Sequence, residues 1–150
     1  MSYRYIIVER EEGVATIILN RPKVLNAMNQ ELVREFDSAI TELDNDAAIG
    51  AVIVTGSGEK AFSAGGDIKE MVRMADGEDL PPPDPDRVQF GWHVASCVKP
   101  TIGAINGLAY GGGALMASSF DIRIGCENTS FRFLAASYGR VNSTWSLPMQ

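Results

Sequence analysis

The sequence is poor in the side chains that bind metals and form disulfides. Its 150 residues include two cysteines and one histidine. Cys97 and Cys126 form no C-x-x-C pair, and His93 has no second histidine with which to hold a metal ion. The composition argues against a zinc site. It predicts two free thiols in a reducing compartment, with Cys97 as a small core residue.

Other absences exclude further classes of protein. The net charge is −6 and no lysine and arginine cluster offsets it, which argues against nucleic-acid binding. No segment approaches the roughly 20 apolar residues that span a bilayer. Residues 1–5 lack the apolar stretch of a signal peptide, so we expect a cytoplasmic protein. With 45% apolar and 21% charged residues, the chain is typical of one globular domain with its own core.

Short apolar segments alternate with amphipathic ones along the chain. Residues 5–9 and 14–19 predict a β-hairpin, and a helix capped by Asn29 follows over residues 30–43. The apolar run 51–55 is typical of a parallel strand buried on both faces. Further strands are predicted at residues 101–105, 121–124 and 130–133, further helices at 68–74, 87–98 and 114–119, and an exposed proline-rich loop at 76–86. The alternation predicts an α/β fold.

Two glycine-rich turns stand out, at residues 61–67 and 110–116. Each follows an apolar run and leads into a helical pattern. Glycine lets the backbone approach a ligand closely, and the start of a helix presents free N–H groups to an anion. Brought together, the two turns would supply two backbone donors to a developing negative charge, which is the arrangement of an oxyanion hole.

Several sequence blocks then match a known family in order and in approximate spacing. They are L-N-R-P-K-V-L-N-A-M at 19–28, A-F-S-A-G-G-D-I-K at 61–69, K-P-T-I at 99–102 with N-G-L-A-Y-G-G-G at 106–113, and D-I-R-I at 121–124. On these blocks the chain resembles the crotonase superfamily, the enoyl-CoA hydratases and isomerases. The resemblance extends from near the N-terminus to about Phe131.

The resemblance implies a spiral core of ββα repeats and an acyl-CoA thioester as substrate. Coenzyme A would enter as part of that substrate, with no permanently bound cofactor. By position, the N–H groups of Gly66 and Gly112 would form the oxyanion hole. The coenzyme A contacts would come from Lys23, Val24, Leu25, Ala64, Asp67, Ile68 and Lys69. The family also implies homo-oligomers, as trimers or hexamers, if the C-terminal part exists.

The sequence departs from the family at its acid and base. The hydratases use two glutamates, and the matching positions here are Leu115 and Ala135. Neither side chain can transfer a proton, so two-glutamate hydration is disfavoured, and hydration, isomerisation and hydrolysis stay open. Ser143 and Tyr138 are the remaining candidates for catalytic side chains near the acyl group. Asp67 also fits a helix N-cap.

The family continues beyond the part that this chain matches. Its members carry more core and a C-terminal helical region, so residues 1–150 correspond to a crotonase-like core truncated before that region, and we expect exposed apolar surface. The alternatives are a non-catalytic acyl-CoA-binding or assembly protein, or a nonfunctional fragment. A nucleotide-binding α/β domain is disfavoured because both G-x-x-x-x-G-K-[ST] and G-x-G-x-x-G are missing.

Overall fold

Two apolar segments near the start of the chain pair as a hairpin in the computed structural model, which describes residues 3–78 and 92–134. Strand β1 (Ile6–Glu11) runs antiparallel to β2 (Val14–Leu19). The turn between them places Glu12 and Gly13 at φ values of 46° and 81°. Tight hairpin turns need this left-handed region at both central positions. The predicted hairpin is confirmed, with β1 ending two residues later than expected.

All later strands are added in parallel and form two sheets. They are β3 (Ala51–Gly56), β4 (Ala61–Ser63), β5 (Thr101–Ile105), β6 (Leu108–Tyr110), β7 (Ile122–Gly125) and β8 (Ser130–Arg132). The larger sheet has the order β1-β2-β3-β5-β7 and the smaller one β4-β6-β8. From β3 onward, successive strands of the chain therefore alternate between the sheets, and the predicted α/β class is confirmed.

Helices connect the strands. They are α1 (Gln30–Asn45), α2 (Ile68–Ala75), α3 (Trp92–Ala95) and α4 (Gly112–Ser118), and a 3-10 turn covers Pro22–Val24. The predicted cap of α1 is confirmed, because the Asn29 side chain accepts a hydrogen bond from the Leu32 N–H at 3.0 Å. Among the described residues, no helix combines the length and the apolar character that crossing a membrane requires.

The core lies between the larger sheet and the apolar face of α1. The face of α1 that packs there carries Leu32, Val33, Phe36, Ala39, Ile40 and Leu43, all buried. Opposite them, β2 and β3 contribute alternate residues such as Ile17 and Val54, which are fully buried. Burying each large aliphatic or aromatic side chain contributes about 1.5–3 kcal/mol, so this contact is the main source of stability in the described part.

Three details differ from the predictions. Strands β4 and β6 are real strands of three residues, where the sequence indicated only turns. In β3 every second residue is buried and the others are half-buried, so the strand is not enclosed on both faces. The described part of the helix predicted at 87–98 ends at Ala95, ahead of Lys99 and Pro100. Residues 79–91, with most of the predicted proline-rich loop, lie outside the described residues.

Candidate functional site

Parallel pairing brings the two glycine turns to one edge of the smaller sheet. Strands β4 and β6 are hydrogen-bonded neighbours, with Ala61 beside Leu108 and Ser63 beside Ala109. Each strand leads directly into its glycine turn. Because the strands are parallel, both turns emerge at the carboxyl ends, where open α/β sheets bind ligands. The sequence places the turns far apart, and β4 and β6 join them.

The backbones of the two turns touch at Gly65. Its φ is +92°, and a Cβ there would lie 2.6 Å from the Tyr110 carbonyl oxygen and 2.9 Å from the Gly112 nitrogen. A side chain at this position would therefore collide with the second turn. In the second glycine turn, a Cβ on Gly113 would likewise overlap the carbonyl oxygen of Ser63 at the end of β4. These two glycines allow α4 to begin directly against the end of β4.

The N–H of Gly66 points away from the hydrogen bonds that Gly65 and Asp67 form with Met28. The Met28 N–H donates to the Gly65 carbonyl at 2.7 Å, and the Asp67 N–H donates to the Met28 carbonyl at 3.1 Å. In a trans peptide the carbonyl and the following N–H point in opposite directions. The Gly66 N–H consequently points away from Met28. Within residues 3–78 and 92–134 it has no hydrogen-bond acceptor, and the residue is exposed.

The second candidate donor is the first residue of α4. Gly111 precedes the helix with φ 50° and ψ −118°, and its N–H donates to the Arg132 carbonyl at 2.8 Å. The first intrahelical bond runs from the Leu115 N–H to the Gly111 carbonyl at 3.0 Å. The N–H of Gly112 therefore lies in the first turn, where no helical carbonyl can accept it. Gly112 itself is half-buried.

Asp67 fixes the segment that follows Gly66. Its carboxylate accepts from the N–H groups of Lys69 and Glu70 at 3.1 and 3.3 Å, which confirms the predicted cap of α2. It also pairs with Arg21, Nη1 to Oδ2, at 2.9 Å. Burial by itself would raise the pKa of Asp67, but the Arg21 guanidinium and the two N–H donors outweigh it and hold the pKa below its usual value. Asp67 is thus a carboxylate at neutral pH.

The segment predicted to contact coenzyme A lies beside this site. Lys23 and Val24 are exposed on the 3-10 turn, and Leu25 ends that turn at φ 54°. A shallow cavity of about 290 Å³ opens there, lined by Pro22, Leu25, Asn26, Ser57, Gly58, Glu59, Lys60 and Ala61. Across the site, Ile68 and Lys69 are exposed and Ala64 and Asp67 are half-buried. Their contact with coenzyme A stays a prediction.

Two residues that support the site were not predicted from the sequence. Asn26 is fully buried at φ 53°, and its side-chain amide donates to the carbonyls of Ser57 and Ala61 at 3.0 and 2.9 Å. Both Arg21 and Asn26 lie in the block at residues 19–28, which indicates the family but no role for either side chain. A short polar residue between apolar neighbours is a signal for Asn26, since asparagine tolerates left-handed backbone. No local signal indicates the partners of Arg21.

The other residues singled out from the sequence lie elsewhere. Ala135, Tyr138 and Ser143 lie outside the described residues, as does the His93 side chain. Leu115 is half-buried on α4, three residues after Gly112. Asp121 has a structural role, because its carboxylate accepts from the N–H and hydroxyl of Thr101, both at 2.8 Å. Both cysteines are free, as predicted.

The fold and the site together define the class of protein. The chain is an α/β protein with one mixed and one parallel sheet, and two glycine turns meet at the carboxyl ends of adjacent strands. The family model for enoyl-CoA hydratase/isomerase matches residues 9–150. The chain belongs to the enoyl-CoA hydratase/isomerase family, as the motif blocks indicated.

Individual relatives agree with this assignment. The chain is 45% identical over 134 residues to the "probable enoyl-CoA hydratase echA8" of Mycobacterium tuberculosis, covering 87% of this chain and 49% of the relative. It is 43% identical over 138 residues to the short-chain-enoyl-CoA hydratase of Clostridium acetobutylicum, covering 87% and 50%. The crystal structure of an enoyl-CoA hydratase from M. tuberculosis H37Rv superposes with a TM-score of 0.78 at 31% identity, covering 98% and 61%. The chain spans about half the length of the curated relatives it matches.

Proposed function

We propose that this chain binds acyl-CoA thioesters and stabilises negative charge on the thioester oxygen through the N–H groups of Gly66 and Gly112. The observation that carries the proposal is the contact between the two glycine turns, in which Gly65 lies against Tyr110 and Gly112. Removing a proton from the carbon next to the thioester, or adding a nucleophile to the enoyl double bond, moves charge onto that oxygen. Two fixed backbone donors favour the resulting enolate over the neutral thioester.

The coenzyme A part of the substrate is proposed to bind to two segments close to Gly66. The exposed 3-10 turn carries Lys23 and Val24, and the Leu25 carbonyl at its end accepts from the Ala64 N–H at 2.9 Å. The first turn of α2, with Lys69, begins two residues after Gly66. The two ammonium groups are suited to the phosphates of coenzyme A. Relatives named as hydratases of short-chain enoyl-CoA and crotonyl-CoA support a thioester ligand. The oligomeric state and the cytoplasmic location remain predictions.

Because position 115 carries a leucine, the reaction that follows enolate formation is left open. A hydrocarbon side chain occupies the position at which the family resemblance implies the first catalytic glutamate, and it lies on α4 three residues after Gly112. This favours a second candidate function, acyl-CoA binding without turnover. The two candidates share the oxyanion hole and differ only in whether a proton is transferred.

Acetoacetyl-CoA tests the shared step, because it forms its own enolate without a catalytic base. The enolate absorbs ultraviolet light, so its fraction can be followed by titration at a pH where the free ligand is mainly neutral. We expect the protein to raise the enolate fraction. Gly112→Pro removes one donor, and proline fits the first position of a helix. Losing one hydrogen bond to a charged oxygen should weaken enolate binding by about 10- to 100-fold.

Gly112→Ala is the matched control, because it adds side-chain atoms and keeps the N–H. It should retain the enolate signal that Gly112→Pro loses. If both variants stabilise the enolate as the unaltered protein does, Gly112 is not a donor. A hydration assay with crotonyl-CoA then separates the two candidates: turnover supports an enzyme, and enolate stabilisation without turnover supports a binding protein.

A further inference from the structure

We infer that Arg21 is a positioning residue for the Gly66 N–H and strengthens it as a hydrogen-bond donor through a chain of two peptide groups. The inference rests on the proposed function, because it concerns one of the two donors of the proposed oxyanion hole. It starts from an arginine whose side chain is 16% exposed and whose guanidinium has three separate partners. Nη1 lies 2.9 Å from Asp67 Oδ2 and donates to the Ala27 carbonyl at 2.5 Å, and the group stacks 5.1 Å from the Tyr5 ring centroid.

The bond to Ala27 begins a continuous hydrogen-bonded chain. The Ala27 carbonyl belongs to the same peptide group as the Met28 N–H, which donates to the Gly65 carbonyl at 2.7 Å. The Gly65 carbonyl in turn shares its peptide group with the Gly66 N–H. The order is therefore guanidinium, peptide 27–28, peptide 65–66, and finally the free N–H. Because each peptide is planar and trans, fixing each carbonyl fixes the direction of the next N–H.

The chain also polarises the donor at its end. A cation at the Ala27 oxygen draws electron density through that peptide and makes the Met28 N–H a stronger donor. The stronger bond to the Gly65 oxygen does the same for the Gly66 N–H. Hydrogen bonds in series strengthen one another in this way inside proteins, and they do so more where little water screens the charge.

A second connection holds the same unit from the other side. Asp67 follows Gly66 directly, and its N–H donates to the Met28 carbonyl at 3.1 Å. Its carboxylate pairs with the same Nη1 atom that holds Ala27. A closed ring of bonds therefore runs from Arg21 through Ala27 and Met28 to Gly66 and Asp67, and back to Arg21. A change in the guanidinium is transmitted to the Gly66 peptide by both routes.

The test compares Arg21→Gln with Arg10→Gln, since each removes one positive charge. Arg10 pairs with Glu42 on the surface, outside the ring, and serves as the matched control. In protein labelled with 15N-glycine, the amide resonance of Gly66 is assigned by its loss in Gly66→Ala. We expect Arg21→Gln to move this resonance and to weaken acetoacetyl-CoA enolate binding roughly three- to tenfold, as for a lost supporting contact. Arg21→Lys should restore part of both effects, and Arg10→Gln should change neither.

The two measurements test different claims. The enolate signal tests the oxyanion hole, and the Gly66 resonance tests the role of Arg21. If the unaltered protein stabilises no enolate, the oxyanion-hole proposal is wrong, and the Gly66 resonance still decides the role of Arg21. If a folded Arg21→Gln variant leaves the resonance and the enolate binding unchanged, Arg21 does not position the donor. A lower melting temperature with an unchanged Gly66 resonance shows a purely structural role. If Arg21→Gln does not fold, Arg21→Lys decides: a moved resonance supports the chain, and an unmoved one overturns it.

Discussion

Asp44 controls the chemistry of the neighbouring Cys97 thiol. Its Oδ1 accepts from Cys97 Sγ at 3.1 Å and from the N–H groups of Val98 and Lys99 at 3.0 and 3.2 Å. Burial, and then the Asp44 carboxylate, raise the pKa of the Cys97 thiol to about 11. The hydrogen bond from Cys97 in turn lowers the pKa of Asp44 below its usual value. The thiol serves here as a hydrogen-bond donor and is not prepared as a nucleophile.

The two cysteines should therefore react at very different rates. Cys126 is exposed, and a hydrogen bond from Thr129 lowers its pKa. At pH 8 about 0.1% of a thiol with a pKa of about 11 is ionised. We expect iodoacetamide to modify Cys126 first and Cys97 only after unfolding, as read by mass spectrometry of the digested protein. Equal rates in the folded protein would contradict this assignment.

At the scale of elements, the site depends on how closely α4 approaches β4. The helix begins with two glycines after the Gly111 cap, and the second of them, Gly113, packs on the last residue of the strand, Ser63. The hydroxyl of Ser63 donates to the Asn26 carbonyl at 2.9 Å and accepts the Gly65 N–H at 3.1 Å. The strand end, the helix start and the first glycine turn thus share one small buried polar cluster. The close approach of the two backbones leaves no space for a Cβ at position 113.

Gly113→Ala should separate these elements. The added methyl group would overlap the Ser63 carbonyl oxygen, which is backbone and cannot move aside cheaply. We expect a loss of about 1–3 kcal/mol in the free energy of unfolding, the usual cost of overpacking a core. Denaturation in urea measures it.

Gly66→Ala is the matched control for this change. Its Cβ would meet only the Met71 sulfur, at 3.5 Å, and its φ lies outside the left-handed region. The free energy of unfolding should stay within about 0.5 kcal/mol of the unaltered protein. Equal losses in the two variants would show that close packing of α4 on β4 is not the cause.

At the scale of the whole molecule, the described residues expose apolar surface where the sheets end. The outer strands β7 and β8 carry Ile122, Ile124 and Phe131 at 51%, 59% and 43% exposure. The exposed apolar surface expected of a truncated core stays a prediction, because these strands show only the described part of the chain. Parallel strands are normally covered on both faces, so these side chains leave one edge of each sheet uncovered within the described residues.

Acid should destabilise the whole fold through Asp44 and Asp67. Both carboxyls have a pKa below the usual value of about 3.9 in the folded protein. A lowered pKa contributes stability above the unfolded value, and that contribution disappears as the pH falls through the folded value. We expect the free energy of unfolding to decrease below about pH 4, as measured by denaturant titrations from pH 7 downward.

Asp67→Asn isolates one of the two contributions. The amide cannot ionise, so this variant should be less stable at neutral pH and should lose less stability on acidification than the unaltered protein. Glu31→Gln is a suitable comparison, because Glu31 forms only an exposed pair with Arg34 at 3.2 Å and should change the acid response little. An identical acid response in Asp67→Asn would rule out the Arg21–Asp67 pair as its source.

The sequence by itself determined the hairpin, helix α1, the two glycine turns and the family. These features are written in local patterns: β-branched runs, the spacing of Leu32, Phe36 and Ile40, a cap at Asn29, and motif blocks read along the chain. Each is favoured by residues within a few positions of one another, so no knowledge of distant contacts is needed. The sequence shows glycine at positions 65 and 113, but it does not show the backbone contacts that exclude a side chain there.

Only the tertiary structure decided which distant groups meet. Strands β4 and β6, three residues each, are too short for a periodic pattern and form because they pair with each other. Their pairing presses Gly65 against Gly112 and gives the two turns a common edge. The chain of bonds from Arg21 to Gly66 likewise joins two separate segments through Met28. Such contacts depend on packing between segments remote in sequence, which residue spacing does not encode.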